Sequence, residues 1–237
     1  MNKVTYDFHS HILPCVDDGA KSVEDSIALI ENLVSQGVTD ICLTPHFYTS
    51  EISTEDFLTK RNESFGLLKS SLPDDLKVNL HLGAEVYITK YLFSSTIDKR
   101  ICIDGTDYIL CEFSYDKNYR ENMLNYLENL IYSNSLIPII AHVERYDWLL
   151  KDEKTRKELL SMGVLFQTNT ISLCDRKFKK KLLKMIANKE ISFLGTDAHS
   201  MHRNSPQYFS QAQAVISDKL SSDFLDYIQS ASKNIFS

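Results

Sequence analysis

The chain has 237 residues, of which 43% are hydrophobic and 24% charged, and its formal net charge is -6. This composition is typical of a globular protein and excludes collagen-like and low-complexity classes. The acidic balance disfavours nucleic acid as a partner, and no run of roughly 18 apolar residues is present to insert into a membrane. The N-terminus also lacks the apolar segment of a secretory signal. We therefore expect one cytoplasmic domain over residues 1–237, with oligomerisation left open.

Short apolar runs alternate with amphipathic segments along the whole chain. This alternation predicts a parallel α/β architecture, either a closed or distorted barrel or an open doubly wound sheet. Ser22 and Gly37 have the residue types expected to begin and end the first helix. In chain order, strands are predicted at 4–8, 39–44, 78–84, 107–112, 137–141, 163–168 and 191–196, and helices at 22–36, 54–70, 119–133, 176–187 and 206–233.

Histidines and carboxylates follow six of these strands at the point where each ends. In α/β barrels the C-terminal ends of the strands face one active site, so these side chains are expected to meet there. Taken singly, each histidine is more often a hydrogen-bonded core residue, and each carboxylate a salt-bridge partner or helix cap. The residues in chain order are His9, His11, His46, Glu85, Glu112, His142 and Glu144, Asp197 and His199.

Burying several carboxylates together without cations would be costly through desolvation and repulsion. The joint pattern therefore predicts a multinuclear metal site. His9 and His11, two residues apart on an extended strand, are expected to lie on the same side. Mixed imidazole and carboxylate ligands without thiolate favour manganese, iron or zinc in a catalytic role over a structural zinc site.

Other phosphatase chemistries lack their motifs in this sequence. None of the five cysteines, at positions 15, 42, 102, 111 and 174, is followed six residues later by arginine, which excludes a cysteine-dependent phosphatase loop. Their odd number and scattered spacing are typical of core thiols in a reducing compartment. Neither a glycine-rich phosphate loop nor a G-x-S-x-G nucleophile motif is present.

Several motifs carry a family resemblance. His9-Ser10-His11, Thr44-Pro45-His46, Glu85, His142 and Asp197-Ala198-His199 resemble the polymerase and histidinol phosphatase (PHP) superfamily. The stretch HSHILPCVDDGAKSVEDSIALI at 9–30 is similar to the bacterial manganese-dependent protein-tyrosine phosphatases of capsule and exopolysaccharide operons, and GAEVYIT at 83–89 and AHVERY at 141–146 agree with it. Asp18, where many relatives outside this branch have histidine, favours the tyrosine phosphatase branch.

The resemblance implies a distorted (β/α)7 barrel, similar to a TIM barrel, that holds three divalent metal ions, most often Mn²⁺. It assigns Asp197 and His199 to catalysis as well as to metal binding. By motif, the ligands are His9, His11, Glu85 and Asp197 for the first ion, Glu85, Glu112 and His142 for the second, and Asp18, His46 and His199 for the third.

The resemblance also implies how phosphate is bound and cleaved. A water that bridges two ions would lose a proton near neutral pH and attack phosphorus. Arg145 is expected to clamp the phosphoryl group through its planar guanidinium. Arg203 is expected to assist, although it lies four residues after His199 where relatives more often have five, so His202 is an alternative contact. The implied substrate is the phosphotyrosine-bearing tail of a bacterial tyrosine kinase that controls polysaccharide export.

Three alternatives remain open at this stage. The same metals would serve a histidinol-phosphate phosphatase or another small-molecule phosphomonoesterase, which would need a more enclosed site than a phosphopeptide does. A nuclease or proofreading relative is disfavoured because the sequence has no basic stripe. A non-catalytic metal-binding regulatory module would be expected to have lost some of the ligands.

Overall fold

Nine parallel strands form the centre of the part of the chain that the structure describes. The computed structural model describes residues 4–236 of the chain. The strands are β1 (Tyr6–Ser10), β2 (Asp40–Leu43), β3 (His46–Tyr48), β4 (Asn79–Leu82), β5 (Glu85–Tyr87), β6 (Tyr108–Glu112), β7 (Ile137–Ile140), β8 (Leu165–Asn169) and β9 (Phe193–Gly195).

The strands occupy seven positions around a ring. One sheet has the order β1-β2-β4 and the other the order β3-β5-β6-β7-β8-β9. Only two residues separate β2 from β3, and only two separate β4 from β5, so each pair is one strand position interrupted near its middle. The ring closes where Ser10 pairs with Ala198 after β9. This topology confirms the distorted (β/α)7 barrel and decides against the open sheet.

The predicted second and third strands differ from the structure in one respect that affects the site. The sequence predicts that His46 and Glu85 follow the ends of two strands. The structure shows that each of them begins a further short strand, β3 or β5, and that the two residues are partners in register. Proline at position 45 has no N–H to donate to a ladder, which agrees with the interruption before His46.

Helices cover the outside of the ring. Ser22 accepts a hydrogen bond from the backbone N–H of Asp25, and Gly37 has a φ of 88°, so the first helix begins and ends as predicted. The predicted helix at 119–133 ends in a π-helical turn, Asn129–Ser133. The C-terminal pattern is two helices, because Leu220 leaves the helical conformation. The helices are α1 (Val23–Ser35), α2 (Thr54–Ser71), α3 (Arg120–Glu128), α4 (Asp147–Lys151), α5 (Glu153–Ser161), α6 (Thr170–Cys174), α7 (Arg176–Ala187), α8 (Phe209–Lys219) and α9 (Ser222–Ile235).

None of the helices between residues 4 and 236 has both the length and the apolar character that crossing a bilayer requires.

Two apolar clusters hold the barrel together. The larger one packs the helices against the outer faces of the strands. The smaller one contains Phe8, Cys42, Leu110, Ile139 and Phe193, which come from five strands around the ring and therefore meet inside it. Ile235, at the end of α9, joins this inner cluster. The inner core closes one end of the barrel and leaves the other end for polar side chains.

The cysteines follow the prediction of core thiols with one exception. All five are free; Cys42, Cys102 and Cys111 are buried, and Cys174 is partly buried. Cys15 is exposed, so the expectation is wrong for this residue. It lies in the loop between β1 and α1, in a left-handed backbone conformation with a φ of 60°.

Candidate metal centre

Side chains from the strand ends meet in one region at the C-terminal end of the barrel. Within residues 4–236 they form three groups, and in each group the nitrogen and oxygen atoms offered by different side chains lie within 4.8 Å of one another. The first group contains His9, His11, Glu85 and Asp197; the second contains His46, Glu85 and Glu112; the third contains His11, Asp18, His46 and His199.

His142 lies beside the second group. Its Nε2 atom is 2.7 Å from Oε1 of Glu85 and 3.7 Å from Oε1 of Glu112. With His142, all nine residues that the resemblance assigns as metal ligands lie in this one region. The structure thus brings together residues that are as far apart in the chain as His9 and His199.

His46 faces two groups at once. Its Nδ1 atom is 3.0 Å from Oε2 of Glu85, and its Nε2 atom is 3.7 Å from Oδ1 of Asp18. The family pattern assigns His46 to the third ion alone, on the side of Asp18. The structure therefore adds a contact that the family pattern does not predict, between His46 and Glu85, the carboxylate that the first and second groups share.

Hydrogen bonds determine which nitrogen of His9 carries a proton. Oε1 of Gln167 accepts from the backbone N–H of His142 at 2.6 Å, and Nε2 of Gln167 donates to Oδ1 of Asn169 at 3.0 Å. This orientation of the amide presents its oxygen to Nδ1 of His9 at 3.2 Å. His9 must donate from Nδ1, so in the neutral ring Nε2 has a free lone pair.

The same reasoning applies to His11, whose Nδ1 atom lies 2.6 Å from Oδ2 of Asp17. Nε2 of His11 is 3.1 Å from Nε2 of His9. In the neutral rings two lone pairs would then face each other, which is repulsive unless a cation lies between them. Two imidazoles that each donate their outer N–H to a fixed acceptor have the arrangement found in metal-binding histidines.

The electrostatics of the region favour a positive charge at the first group. Burial opposes protonation of His11, but Asp17 and the carboxylates of Asp197 and Glu85 raise its pKa well above the ordinary value. Burial would raise the pKa of Glu85, yet the imidazoles of His9 and His142 hold it well below its usual range. Carboxylates that stabilise an imidazolium would stabilise a metal cation in the same place.

Three buried atoms of the groups have no hydrogen-bond partner among residues 4–236: Oε2 of Glu85, Nδ1 of His46 and Nε2 of His199. The first two are 3.0 Å apart but lack hydrogen-bond geometry. Buried polar atoms are nearly always paired, so unpaired ones require another partner. Burial and the nearby His11 lower the pKa of His199 to about 4, which leaves it neutral and able to act as a ligand. The donor set therefore fits divalent metal ions.

Sequence reasoning missed several residues that support the donors. Asp17 binds His11, and Gln167 binds His9. Asn169 and Asn204 each donate a side-chain N–H to Oδ2 of Asp197 at 2.9 Å. The only signal for Asp17 in the sequence is its position beside Asp18. The supporting roles of Gln167 and Asn169, on β8, could not be predicted from the sequence, because amide side chains are also common at solvent-exposed strand ends.

The backbone is strained at two of the predicted ligands. His142 has a φ of 32° and Asp197 a φ of 55°, a left-handed conformation that residues other than glycine rarely adopt. Such strain costs roughly 1–3 kcal/mol and persists only where the surrounding structure enforces it. It is often found at functional sites, and here it coincides with the strand ends at the centre of the donor groups.

The two predicted phosphate-binding arginines lie at the edge of this region. Arg145 donates to the carboxylate of Asp197 and, at 3.3 Å, to the hydroxyl of Tyr115. Arg203 reaches Oδ2 of Asp18 with its Nη1 atom at 2.5 Å. His202 is exposed. Both guanidinium groups thus lie beside the donor groups, Arg145 partly buried and Arg203 exposed.

Comparisons with known proteins agree with this site and barrel. The family described as capsular polysaccharide synthesis, CpsB/CapC, matches residues 5–235. The tyrosine-protein phosphatase CpsB of Streptococcus pneumoniae is 35% identical over 227 residues, which cover 90% of each chain. The putative tyrosine-protein phosphatase CapC of Staphylococcus aureus is 34% identical over 238 residues, covering 96% of this chain and 88% of that protein.

A solved structure is similar over almost the whole fold. It comes from a study of YwqE from Bacillus subtilis and CpsB from S. pneumoniae, described as metal-dependent tyrosine phosphatases. The TM-score is 0.75 at 25% identity, and the match covers 96% of this chain and 93% of the other. The family predicted from the motifs is confirmed: the chain belongs to the CpsB/CapC family of capsular polysaccharide synthesis.

Proposed function

We propose that this chain is a metal-dependent protein-tyrosine phosphatase, and that residues 1–237 form the single domain responsible for the activity. The observation that carries the proposal is the convergence of nine histidine and carboxylate side chains, with Arg145 beside them, at one end of the barrel. The relatives named tyrosine-protein phosphatases align over nearly the entire chain, which supports the same chemistry.

The proposed ligands are those that the motifs assign. Three divalent ions, with Mn²⁺ preferred over iron or zinc, would be held by His9, His11, Glu85 and Asp197; by Glu85, Glu112 and His142; and by Asp18, His46 and His199. When bound, such ions neutralise phosphate oxygens and supply a water of lowered pKa as nucleophile. Oε1 of Glu85 lies 2.7 Å from Nε2 of His142, and Oε2 lies 3.3 Å from Nε2 of His9, so the two oxygens face the proposed second and first ligand sets, which suits a shared ligand.

The protein's own residues bind and orient the phosphoryl group. Arg145 is held by Asp197 and Tyr115, so its guanidinium is already positioned before substrate arrives. Arg203 lies next to Asp18, to which its exposed guanidinium donates a hydrogen bond, and it is proposed to contact the phosphoryl group from there. Hydrogen bonds from Arg145, Asn169 and Asn204 hold the carboxylate of Asp197 in place, and the lowered pKa of His199 keeps its ring neutral. The phenol of tyrosine has a pKa of about 10 and is more acidic than an alcohol. Phenoxide is therefore a better leaving group than an alkoxide, which favours aryl phosphates as substrates.

The open mouth of the site favours a peptide over a small metabolite. Asp18 and Arg203 are both more than half exposed, at 51% and 55%, although they adjoin buried donors. A phosphotyrosine in a flexible segment could reach such a site without a conformational change. The proposed physiological substrate is the phosphotyrosine tail of a cytoplasmic bacterial tyrosine kinase domain that controls polysaccharide export.

The first experiment measures hydrolysis of 4-nitrophenyl phosphate by metal-free protein, with and without added Mn²⁺. We expect turnover only in the presence of metal, and its loss on addition of a chelator. Turnover that is equal with and without metal would contradict the proposal. Release of phosphate from a tyrosine-phosphorylated kinase tail is then compared with release from histidinol phosphate. Faster hydrolysis of histidinol phosphate would favour the small-molecule alternative.

A further inference from the structure

A cleft opens beside the third donor group. Its volume is about 340 Å³, near the lower end of the range of about 300–1,000 Å³ typical of small-ligand sites. Asp18 and His46 lie at its inner end, so it is continuous with the proposed metal centre. The other residues that line it are Val16, Asp17, Tyr48, Glu51, Ile52, Phe57 and Lys60.

Contacts between the walls hold the cleft open. One wall is the loop containing Val16, and the other is the turn from Tyr48 to Ile52 that follows β3. Nζ of Lys60, on α2, donates to the carbonyl oxygen of Val16 at 2.8 Å and ties the loop to the helix. The ring of Phe57 stacks on that of Phe47, with centroids 4.4 Å apart, and ties the helix to β3.

The cleft has an apolar middle and a polar inner end. Val16 and Phe57 are buried, whereas Tyr48 and Ile52 are only partly buried and leave apolar surface facing solvent. The ring of Tyr48 packs against that of His46, with centroids 5.3 Å apart. A ligand whose anionic group lies at the inner end would therefore place its next few atoms against Tyr48 and Ile52.

We propose that this cleft is the subsite for the aromatic ring of the substrate, with the phosphoryl group at the Asp18–His46 end and the ring against Tyr48 and Ile52. This inference rests on the proposed phosphatase function and adds a cause of specificity. A flat ring gains contact with both walls, while the side chain of phosphoserine is too short to reach them. Aromatic rings gain further from offset or edge contacts with a tyrosine.

A second cavity on the other side of Asp18 has a different character. It is lined by Lys21, His202 and Arg203, among others, and its partly apolar wall includes Met201. Its rim includes the charged groups of Lys21, Asp25 and Arg203, which an uncharged ring would have to desolvate. Met201 also provides a matched control for Ile52, because both are apolar residues on cavity walls next to Asp18.

The test compares two non-hydrolysable ligands, benzylphosphonate and methylphosphonate, by isothermal titration calorimetry with Mn²⁺-loaded protein. We expect the wild type to bind benzylphosphonate at least about tenfold more tightly, and Ile52→Asn to lose about tenfold for benzylphosphonate alone. Ile52→Trp should fill the cleft and also weaken benzylphosphonate selectively. Met201→Asn should leave both affinities unchanged, and circular dichroism and metal content confirm that each variant is folded and loaded.

The outcomes separate the two proposals. Equal affinities for the two phosphonates in the wild type, or equal losses for both in Ile52→Asn, would overturn the ring subsite while leaving the phosphatase intact. Loss of the benzyl preference in Met201→Asn but not in Ile52→Asn would assign the ring to the second cavity and also overturn the inference. Absence of binding for both phosphonates, with no metal-dependent turnover, would instead refute the proposed function.

Discussion

Nδ1 of His11 and Oδ2 of Asp17 lie 2.6 Å apart, and this contact links the donor groups to one another. The same carboxylate oxygen accepts the backbone N–H of His46 at 2.8 Å, and Oδ1 accepts the N–H of Gly19 at 2.9 Å. A side chain at position 19 would collide with the carbonyl oxygen of His11, 2.0 Å from its Cβ, so the loop requires glycine there. Burial would raise the pKa of Asp17, but His11 and these backbone donors hold it well below the ordinary value.

Asp17→Asn should weaken manganese binding. The amide keeps the shape of the side chain but removes the charge that orients His11 and strengthens its Nε2 atom as a ligand. Losing such an outer partner typically lowers metal affinity about 10- to 100-fold. Calorimetric titration of metal-free protein with Mn²⁺ measures the change, with the exposed Asp75→Asn as control. An unchanged affinity would mean that Asp17 serves only to fold the loop.

His46→Ala should abolish turnover while leaving the fold intact. The substitution removes a ring whose two nitrogens face Glu85 and Asp18, so it disturbs two donor groups at once. We expect the rate of 4-nitrophenyl phosphate hydrolysis to fall by more than about a hundredfold. This exceeds the loss expected when only the hydrogen-bond partner of a metal ligand is removed. Circular dichroism checks the fold, and His81→Gln, remote from the donors, serves as control. Full activity in His46→Ala would exclude the proposed third ion.

Arg145→Lys should reduce activity more than Arg203→Lys does. Lysine keeps the charge but cannot reproduce the planar contacts of Arg145 with Asp197 and Tyr115. We expect kcat/KM to fall about a hundredfold for Arg145→Lys, as for loss of one preorganised donor to transition-state charge. Steady-state kinetics with equal metal content measures this, and the exposed Arg176→Lys is the control. A larger effect at Arg203 would reverse the assigned roles.

The histidine at position 81 should make stability depend on pH. Burial opposes its protonation, but hydrogen bonds to Asp104 at 2.7 Å and to Asp40 at 3.0 Å outweigh burial and raise its pKa above 6.5. A raised folded-state pKa stabilises the fold fully below the unfolded pKa, and this contribution is lost as pH rises through the folded value.

The difference in melting temperature between the wild type and His81→Gln, both metal-free, measures this effect. We expect the difference to be largest below about pH 6.5, the ordinary histidine pKa, and to shrink as pH increases. Taking the difference cancels the titration of the donor groups, which is common to both proteins. A difference that grew with pH would contradict the assigned sign.

The sequence by itself was sufficient for the fold class and the family. Alternating strands and helices predicted a parallel α/β architecture, because burial on both faces leaves continuous apolar runs in the strands, and left a barrel and an open sheet as alternatives. The family resemblance favoured the barrel, and the closed ring of strands confirms it. The position of His9, Glu112 and Asp197 at strand ends predicted one site, since parallel strands share a C-terminal edge. The motif at 9–30 then predicted the family, and the family match over residues 5–235 confirms it. The ligand assignments remain predictions.

Only the tertiary structure decided how individual atoms meet. Gln167 fixes the proton of His9 across 158 residues of chain, and Asp7 accepts from Thr196 across 189. No periodicity encodes such pairs, because a hydrogen bond depends on the orientation of side chains brought together by the closed ring. The register that places His46 beside Glu85 likewise depends on the pairing of β3 with β5, two strands from different parts of the chain. Composition and pattern specify which residues reach the site, whereas barrel closure specifies which of their atoms face each other.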